Sequence, residues 1–264
     1  GIAIVGLFTV AAILAPIFAP YDPVAQLDLE RGQLLPPSLA HPFGTDFLSR
    51  DLLSRVLYGA RVSLAVAFFA VVISVTLGGL LGMIAGLAGR WIDSLLMRLV
   101  DVGLAVPRVF LLLVVLALWG NVGLATLVLV LGLTSWFDTS RLVRAEVLSL
   151  RKRDFMTAAR AAGVPRPRLL VRHVLPNVAA PIIVTATLGM GQIILIEAGL
   201  SFLGIGVPRP TPSWGAMIAD GQREGLLTAA PWIAGFPGAA IVITVLAFSL
   251  LGDALRDVID PRSR

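Results

Sequence analysis

Segment 151–176 has residue types and a spacing suited to docking on another protein rather than to catalysis. Strong helix formers run almost unbroken over Arg151–Ala162, and Gly163 follows where a helix often ends in the left-handed conformation. Two prolines then prevent that helix from continuing and start a second short helix, Arg168–Val174, which Pro176 is expected to end. The segment is therefore predicted to form a helix, a tight turn and a second helix.

Small and basic side chains dominate the surface of this segment. Its alanines allow a partner's backbone to approach closely, and its arginines can pair with acidic groups of that partner. A solvated basic loop that only obeys the charge rule for membrane topology is an alternative explanation of the charge. It does not explain the small residues or the glycine. The residues predicted to dock are Thr157, Ala158, Ala159, Arg160, Gly163 and Arg166.

No group of side chains in the sequence is typical of an active site. The chain has no cysteine, which excludes disulfides and thiolate metal sites, and His41 stands alone in an acid-containing loop, so no metal site is predicted. Its single lysine, Lys152, lies between two arginines and cannot belong to a phosphate-binding loop of the kind that hydrolyses ATP. The arginines lie beside apolar segments, which favours a role in membrane orientation over nucleic-acid binding.

The composition is that of an integral membrane protein. Hydrophobic residues make up 57% of the 264 positions and charged residues 14%, against about 45–50% and about 25% in soluble domains. Five runs contain no charged residue, and a helix needs about 20 residues to cross the hydrocarbon of a bilayer. The runs are Gly1–Pro20, Val62–Gly89, Val109–Phe137, Val174–Ile196 and Gly225–Gly252.

The distribution of charge orients these runs. Segment 141–172 carries nine basic residues and two acids, which places it in the cytoplasm, and Arg90 and Arg98 place the preceding loop on the same side. An even number of crossings must separate the two, so the third run is a hairpin that turns at Gly120-Asn121. We therefore predict an all-α polytopic membrane protein with a cytoplasmic coupling region at 141–173 and outer loops at 21–58 and 204–230. Its six spans are approximately 1–20, 62–89, 99–119, 122–139, 175–200 and 231–253.

Three further residues are candidates for the translocation pathway or its outer vestibule. Arg108 lies within the third span, where it faces water, a partner or protein, or else the helix starts later and the side chain snorkels to the surface. Glu197 falls near the outer end of its span, either as a carboxylate at the mouth of the membrane or as a coupling site. Trp214 follows a proline-rich loop that either forms a vestibule or only seals the bundle, with the indole at the interface.

The docking segment resembles a motif of the inner-membrane permease subunits of ATP-binding-cassette importers. That motif has the form E-A-A-x3-G-x9-I-x-L-P, and the corresponding residues here are Thr157-Ala-Ala, Gly163, His173 and Leu175-Pro176. Thr157 stands where the family usually has glutamate, and His173 replaces isoleucine, as in the peptide-importing branch.

Further blocks in the same order extend the resemblance over most of the chain. They are similar to the C-type permease of dipeptide, oligopeptide and nickel importers. The blocks are Phe43-Gly-Thr-Asp46, Arg50-Asp51, Ser54-Arg55-Val-Leu-Tyr-Gly-Ala-Arg-Val-Ser63, Leu148-Ser149-Leu150, Glu197-Ala-Gly-Leu-Ser-Phe-Leu-Gly204, Pro210-Thr-Pro-Ser-Trp-Gly215, Leu250-Leu-Gly-Asp253, Leu255-Arg256-Asp257 and Asp260-Pro-Arg262.

The resemblance implies a subunit of a larger assembly in the bacterial inner membrane. In that family two homologous permeases form a heterodimeric pathway, and two cytoplasmic ATPases, which bind ATP and magnesium, receive the docking helices. An extracytoplasmic substrate-binding protein delivers di- or oligopeptides or related solutes. The resemblance implies no cofactor and no enzymatic activity in this chain. A rigid docking segment between the fourth and fifth spans can convert closure of the ATPases into tilting of those spans.

Two other functions remain as alternatives. A secondary transporter driven by an ion gradient often has internal repeats and ionisable residues at mid-depth, and Arg108 is the one candidate for such a residue. A non-transporting membrane scaffold accounts for the docking segment. It leaves unexplained the spans interrupted by proline and glycine, where glycines such as Gly78, Gly82 and Gly86 suggest close packing of helices.

Overall fold

The computed structural model describes residues 1–119, 123–223, 226 and 228–259, without the side chains of Arg160, Arg166, Arg223 and Ile259. Within these residues the chain is helical, and its β structure is limited to an isolated bridge between Thr45 and Asp51. The turn predicted at Gly120-Asn121 lies outside the described residues.

The helices follow one another along the chain with short connections, apart from the long segment before the third helix. They are α1 (Ile2–Ile13), α2 (Ala15–Phe18), α3 (Leu52–Leu87), α4 (Arg90–Ala105), α5 (Arg108–Trp119), α6 (Leu124–Leu133), α7 (Trp136–Leu150), α8 (Asp154–Ala161), α9 (Arg166–Leu169), a π-helical turn (Leu170–Val174), α10 (Leu175–Phe202), α11 (Trp214–Arg223) and α12 (Trp232–Ile259).

Each predicted span has a helical counterpart, although not all are long enough to cross a bilayer alone. Three stretches are long and apolar enough, Leu52–Leu87, Pro167–Phe202 and Trp232–Val258, and a fourth qualifies if α4 and α5 are counted as one broken span. The apolar helices α1 and α6 have 12 and 10 residues. The predicted all-α membrane architecture is confirmed, whereas the count of six crossings, their limits and their sides remain predictions.

Several helices extend beyond the predicted limits of the spans, with charged residues inside them. Residues 52–58 of the predicted outer loop 21–58 belong to α3, which begins at Leu52, where the Asp51 carboxylate accepts hydrogen bonds from the Ser54 amide at 2.8 Å and the Ser54 hydroxyl at 2.7 Å. Residues 141–150 of the predicted coupling region 141–173 form the end of α7. The predicted outer loop 204–230 contains α11.

The predicted span 99–119 consists of parts of two helices. The chain bends by 89° between α4 and α5, at Val106 and Pro107. Proline disfavours a helical conformation for the residue before it and lacks the donor that would continue the helix. Arg108 consequently begins a new helix instead of lying within a continuous one.

A stripe of glycines on α3 allows α7 to pack closely against it. A Cβ atom added at Gly78 would lie 2.7 Å from Thr139 Cβ, and one added at Gly86 would lie 2.6 Å from Val147 Cβ. At Gly82, between them, it would lie 2.6 Å from the Ser140 carbonyl oxygen. These distances are shorter than van der Waals contact, so a side chain at any of the three positions would separate the two helices. The close packing predicted for this stripe is confirmed.

A buried network of ion pairs holds the segment before α3 against the start of α3 and against α11. Arg50 Nε lies 2.7 Å from Asp46 Oδ2, and Arg55 Nε lies 3.5 Å from the same oxygen. Asp220 of α11 forms ion pairs with both arginines. Its Oδ2 lies 3.5 Å from Arg50 Nη2 and 3.7 Å from Arg55 Nη2. A third cation, Arg209, pairs with Asp220 Oδ1 from a half-exposed position.

The energetics of this network depend on keeping every charge paired. The side chains of Asp46, Arg50, Arg55 and Asp220 are at most 6% exposed, so water contributes little to their stabilisation. An isolated charge in such surroundings is costly, and its partners must therefore be in place together. The network makes three separate segments of the chain depend on one another.

We expect Asp220→Asn to lower the stability of the folded chain by about 3–5 kcal/mol, because it removes one partner of a buried pair and leaves the arginines under-compensated. The melting temperature of the purified protein in detergent measures this loss. Asp101→Asn is a suitable control, since its ion pair with Arg141 is 57% and 51% exposed and is expected to contribute about 1 kcal/mol at most. Equal effects of the two substitutions would contradict the role assigned to the network.

Candidate functional site

The predicted docking helix is present as α8, and it is shorter than expected. It begins at Asp154, whereas the sequence predicted a start at Arg151. Residues 151–153 form a turn instead, and the amides of Lys152 and Arg153 bond back to carbonyls at the end of α7. The first three residues of the predicted helix therefore form a tight turn between α7 and α8.

Gly163 ends the docking helix in the predicted left-handed conformation. Its φ is +73°, and the Val164 amide bonds to the Ala159 carbonyl at 3.1 Å. This six-to-one bond together with a left-handed residue is the Schellman arrangement, in which glycine is favoured because it has no Cβ. Among the described residues, a Cβ atom at Gly163 would meet no atom within 4 Å, so the constraint that they place on this position comes from its backbone conformation.

The second predicted helix does not end at Pro176. α9 and the π-helical turn run directly into α10, and Pro176 lies in the first turn of that helix. A π turn widens the helix and tolerates an interrupted hydrogen-bond ladder, so it accommodates a proline that has no amide hydrogen. The docking segment is therefore continuous with the long helix α10.

Buried apolar residues fix α8 to the helices around it. We call them the anchoring cluster, and in it Met156 of α8, fully buried, packs with residues of α3, α7, α9, the π turn and α10. The members of the cluster are Met83, Val143, Val147, Leu150, Met156, Leu169, Val174 and Val178. A displacement of α8 cannot be absorbed locally, because densely packed interiors transmit strain.

The opposite face of α8 is exposed and small. Thr157, Ala158, Ala161, Ala162 and Gly163 are all exposed, whereas Ala159 is partly buried against the anchoring cluster. Of the six residues predicted to dock, three are thus on this face. Arg160 and Arg166 are part of helices α8 and α9, but their side chains lie outside the described part of the structure.

The ring of Phe155, which is 41% exposed, lies beside this face. Its centroid is 6.3 Å from that of His173, one of the two residues that depart from the family's motif. The Thr157 hydroxyl, at the other departing position, donates to the Arg153 carbonyl at 3.4 Å. The sequence analysis did not select Phe155, because an isolated aromatic residue in a helix more often belongs to a core.

Ion pairs join α4 to α7 near the docking segment. Arg144 contacts Asp93 through two nitrogens, one of them Nη2 at 2.7 Å from Oδ2. Arg151 Nη1 donates to the Gly86 carbonyl at 2.9 Å and so connects the end of α7 with the end of α3. Some of the basic residues counted for topology therefore have specific partners.

Glu197 is buried, and its side chain is not at a surface as its predicted position suggested. It is 1% exposed, and its carboxylate accepts hydrogen bonds from Ser201 Oγ at 2.8 Å, Ser213 Oγ at 2.9 Å and Ser63 Oγ at 3.4 Å. None of the ion pairs among the described residues includes Glu197. Three hydroxyls from α3, α10 and the start of α11 therefore compensate for the water that this group has lost.

Trp214 lies beside this group and is fully buried, so the prediction that its indole sits at the membrane interface is wrong. Its backbone amide donates to Ser63 Oγ at 3.2 Å, and its Nε1 donates to the Val56 carbonyl at 3.0 Å. The ring of Phe8 packs edge-on against it at 6.0 Å. Burial satisfies both the apolar ring and its N–H donor, which an interfacial position satisfies only with water.

The loop before Trp214, and not Trp214 itself, lines a cavity. The cavity has a volume of about 410 Å³ and is bounded by residues 204–209, by Asp220 of α11 and by Leu116 and Ala117 of α5. The half-exposed Arg209 lies on its wall. Glu197 and Trp214 are thus brought together next to this cavity, whereas Arg108 belongs to a different one.

Arg108 is half-buried at the start of α5. Its Nη2 donates to Ser135 Oγ, in the connection between α6 and α7, and its Nε is buried with no hydrogen-bond partner in the described part of the chain. The cavity around it has a volume of about 60 Å³ and is lined by polar and apolar residues of α3, α7 and α10. Of the two explanations of Arg108 in the sequence, the structure favours an arginine that faces protein, since snorkelling would expose the guanidinium group.

The sequence analysis missed Ser63, Ser213 and Asp220 as individual residues. They belong to, or lie close to, segments that carried the family resemblance, but serines have many roles and no local pattern connects them with Glu197. A carboxylate with no cation nearby in the sequence was the available signal, since such a group must find donors elsewhere in the fold.

We expect Glu197→Ala to loosen the contacts between α10, α11 and α3, because it leaves three buried hydroxyls without their acceptor at a cost of about 1–3 kcal/mol for each group left unsatisfied. Hydrogen exchange of peptides covering 201–217 should become faster and the melting temperature should fall. Glu197→Gln keeps one acceptor oxygen and should have a smaller effect. Glu146→Ala is the control, since Glu146 is a partly exposed glutamate of α7. Unchanged exchange in Glu197→Ala would refute this role.

Comparison with known proteins agrees with this architecture. Residues 78–264 match the family of binding-protein-dependent transport system inner membrane components. The dipeptide transport system permease protein DppC of Alkalihalophilus pseudofirmus is 43% identical over 267 residues, covering 100% of this chain and 86% of that protein. The oligopeptide transport system permease protein OppC of Bacillus subtilis is 38% identical over 264 residues, covering 100% of this chain and 85% of that protein.

A solved structure supports the fold independently. A chain of the inward-facing MetNI methionine ABC transporter superposes with a TM-score of 0.66, covering 79% of this chain and 98% of that chain, at 17% sequence identity. At this identity the similarity establishes the fold alone. The sequence match covers well over half of the chain, and the helices α3, α10 and α12 are apolar enough to span a membrane. The chain is therefore a multi-pass protein of the bacterial plasma membrane that belongs to the family of binding-protein-dependent transport system inner membrane components.

Proposed function

We propose that this chain is one transmembrane subunit of an ATP-driven importer of di- and oligopeptides, and that the exposed face of α8 docks on a cytoplasmic ATPase. The observation that carries this proposal is the combination of a small, exposed face on α8 with a fully buried Met156 on the other side of the same helix. A partner can approach the exposed face closely, while Met156 connects α8 to the membrane helices.

The names of the relatives support peptides as the substrate class. Two relatives that cover nearly the same length are a dipeptide and an oligopeptide permease protein. Family membership favours an importer driven by partner ATPases over a secondary transporter driven by an ion gradient. Family membership also favours a transport function over that of a non-transporting membrane scaffold.

The remaining components of the importer belong to partner proteins in this proposal. A second, homologous permease completes the pathway, and an extracytoplasmic binding protein delivers the peptide. Two ATPases bind ATP and magnesium and carry out hydrolysis, and this chain needs no cofactor and catalyses no reaction. The cavity of about 410 Å³ beside Arg209 and Asp220 serves as part of the outer vestibule.

The continuity of the docking segment with α10 suggests how closure of the ATPases reaches the pathway. α10 has 28 residues, which corresponds to about 42 Å at about 1.5 Å per residue. Its first turn adjoins the docking segment, and Glu197 lies near its other end. Movement of α8 would tilt α7 and α10 together through the anchoring cluster, which is a rigid-body mechanism of alternating access.

We expect Gly163→Val to reduce peptide uptake by roughly 5- to 30-fold, because a side chain in the left-handed conformation costs about 1–2 kcal/mol and shifts α8 away from its docked orientation. Uptake by the assembled complex in proteoliposomes and its ATP hydrolysis are measured together, and hydrolysis is expected to continue without transport. Gly89→Val is the matched control, since Gly89 also has open space around it but has a φ of −73°. Normal uptake by Gly163→Val would remove the coupling role of this turn.

We expect Ala158→Trp to prevent stable association with the ATPase, because a bulky ring on the exposed face separates the two backbones. The measurement is the amount of ATPase that co-purifies with the tagged chain from mild detergent. Ala40→Trp introduces the same ring at an exposed position in the segment before α3 and should leave recovery unchanged. Full recovery of ATPase with Ala158→Trp would contradict docking through this face.

A further inference from the structure

The cavity around Arg108 lies between four parts of the bundle. Ser74 of α3, Ser135 before α7, Thr139 of α7 and Thr185 of α10 line it together with Arg108. Ser74 and Thr139 are buried, so their hydroxyls lie within the bundle and not at its surface. Val71, Val75 and Ile193 also line the cavity. A half-buried cation beside apolar side chains is costly to keep, which points to a ligand.

The guanidinium group of Arg108 has donors to spare. Its Nη2 donates to Ser135 Oγ, which itself donates to the Leu131 carbonyl, and among the described residues its buried Nε has no hydrogen-bond partner. The ion pairs among the described residues do not include Arg108. Asp138 also lines the cavity, but its side chain is exposed, so solvent screens its charge more strongly than that of the half-buried Arg108.

The chemistry and the size of the cavity both favour a carboxylate. Guanidinium N–H groups and hydroxyls donate to carboxylate oxygens, and the planar guanidinium can form two parallel bonds with such a group. The volume of about 60 Å³ is several times the roughly 10–15 Å³ that a cavity needs to hold one water molecule. That space accommodates a terminal carboxyl group, and the remainder of a peptide would extend out of the cavity.

We infer that this cavity binds the C-terminal carboxylate of a peptide during its passage, with Arg108 as the charged partner. This inference rests on the proposed function and extends it by naming the part of the substrate that the chain recognises. The break at Pro107 allows this arrangement. It places Arg108 at the start of a helix and opposite Ser135, so no helical turn precedes Arg108 along the axis of α5. Arg108 contacts the substrate and is thus a binding residue of the pathway.

The experiment compares uptake of trialanine with uptake of trialanine amide by the complete importer in proteoliposomes. The binding protein has its own preference between the two peptides, so the measured quantity is the ratio of their uptake efficiencies, kcat/KM, in each variant divided by the ratio in the wild type. Arg108→Gln should lower the preference for the free acid by about tenfold or more, mainly through KM, since it removes a charge-assisted hydrogen bond. Arg108→Lys should retain part of the preference, because it keeps the charge but not the planar donor group.

Two further variants keep the test decisive. Arg61→Gln removes an exposed arginine of α3 that does not line this cavity, and it should leave the ratio unchanged. If Arg108→Gln does not assemble, Ser135→Ala removes the hydroxyl that orients Arg108 and should lower the ratio in the same direction. An unchanged ratio in the assembled Arg108 or Ser135 variants would overturn the inference alone. A wild-type complex that transports neither peptide would overturn the proposed function as well.

Discussion

The pairing of buried charges at the start of α3 is the constraint on which the rest of the structure depends. Two arginines and two aspartates are almost completely removed from water, and an unpaired charge in that position would cost several kcal/mol. Asp46 comes from the segment before α3 and Asp220 from α11. If either segment moved away, the arginines would keep only one of their two aspartate partners. Trp214, in the same helix as Asp220, adds apolar burial to this end of the molecule.

Glu197 extends this rigid region to α10. Its three serine donors come from α3, from α10 itself and from the residue before α11, and they require no cation. At the other end α10 continues from the docking segment, which is held by apolar packing around Met156. One helix thus joins a polar attachment to an apolar one.

Short sequence patterns correctly predicted the structural features that depend on residues close together in the chain. The stop at Gly163 followed from a glycine after a run of helix formers, and the close packing of α3 followed from glycines spaced one turn apart. Pro107 breaks the predicted span 99–119 with an 89° bend, and the size of this bend depends on how α5 packs afterwards. Helix α3 begins before the charge-free run because Arg55 inside it is neutralised by Asp46 and Asp220, which are distant in the sequence or lie outside the helix.

The sequence by itself determined the class of the protein, the run of apolar helices and the place of the docking segment, since these depend on composition, short-range spacing and a family resemblance over most of the chain. Only the tertiary structure decided where Glu197 and Trp214 lie and which residues surround Arg108. Ser63 and Glu197 are 134 positions apart, and their hydrogen bond exists because α3 and α10 pack side by side. A buried polar group must find its partners somewhere in the fold, but its neighbours in the chain do not reveal which distant helix supplies them.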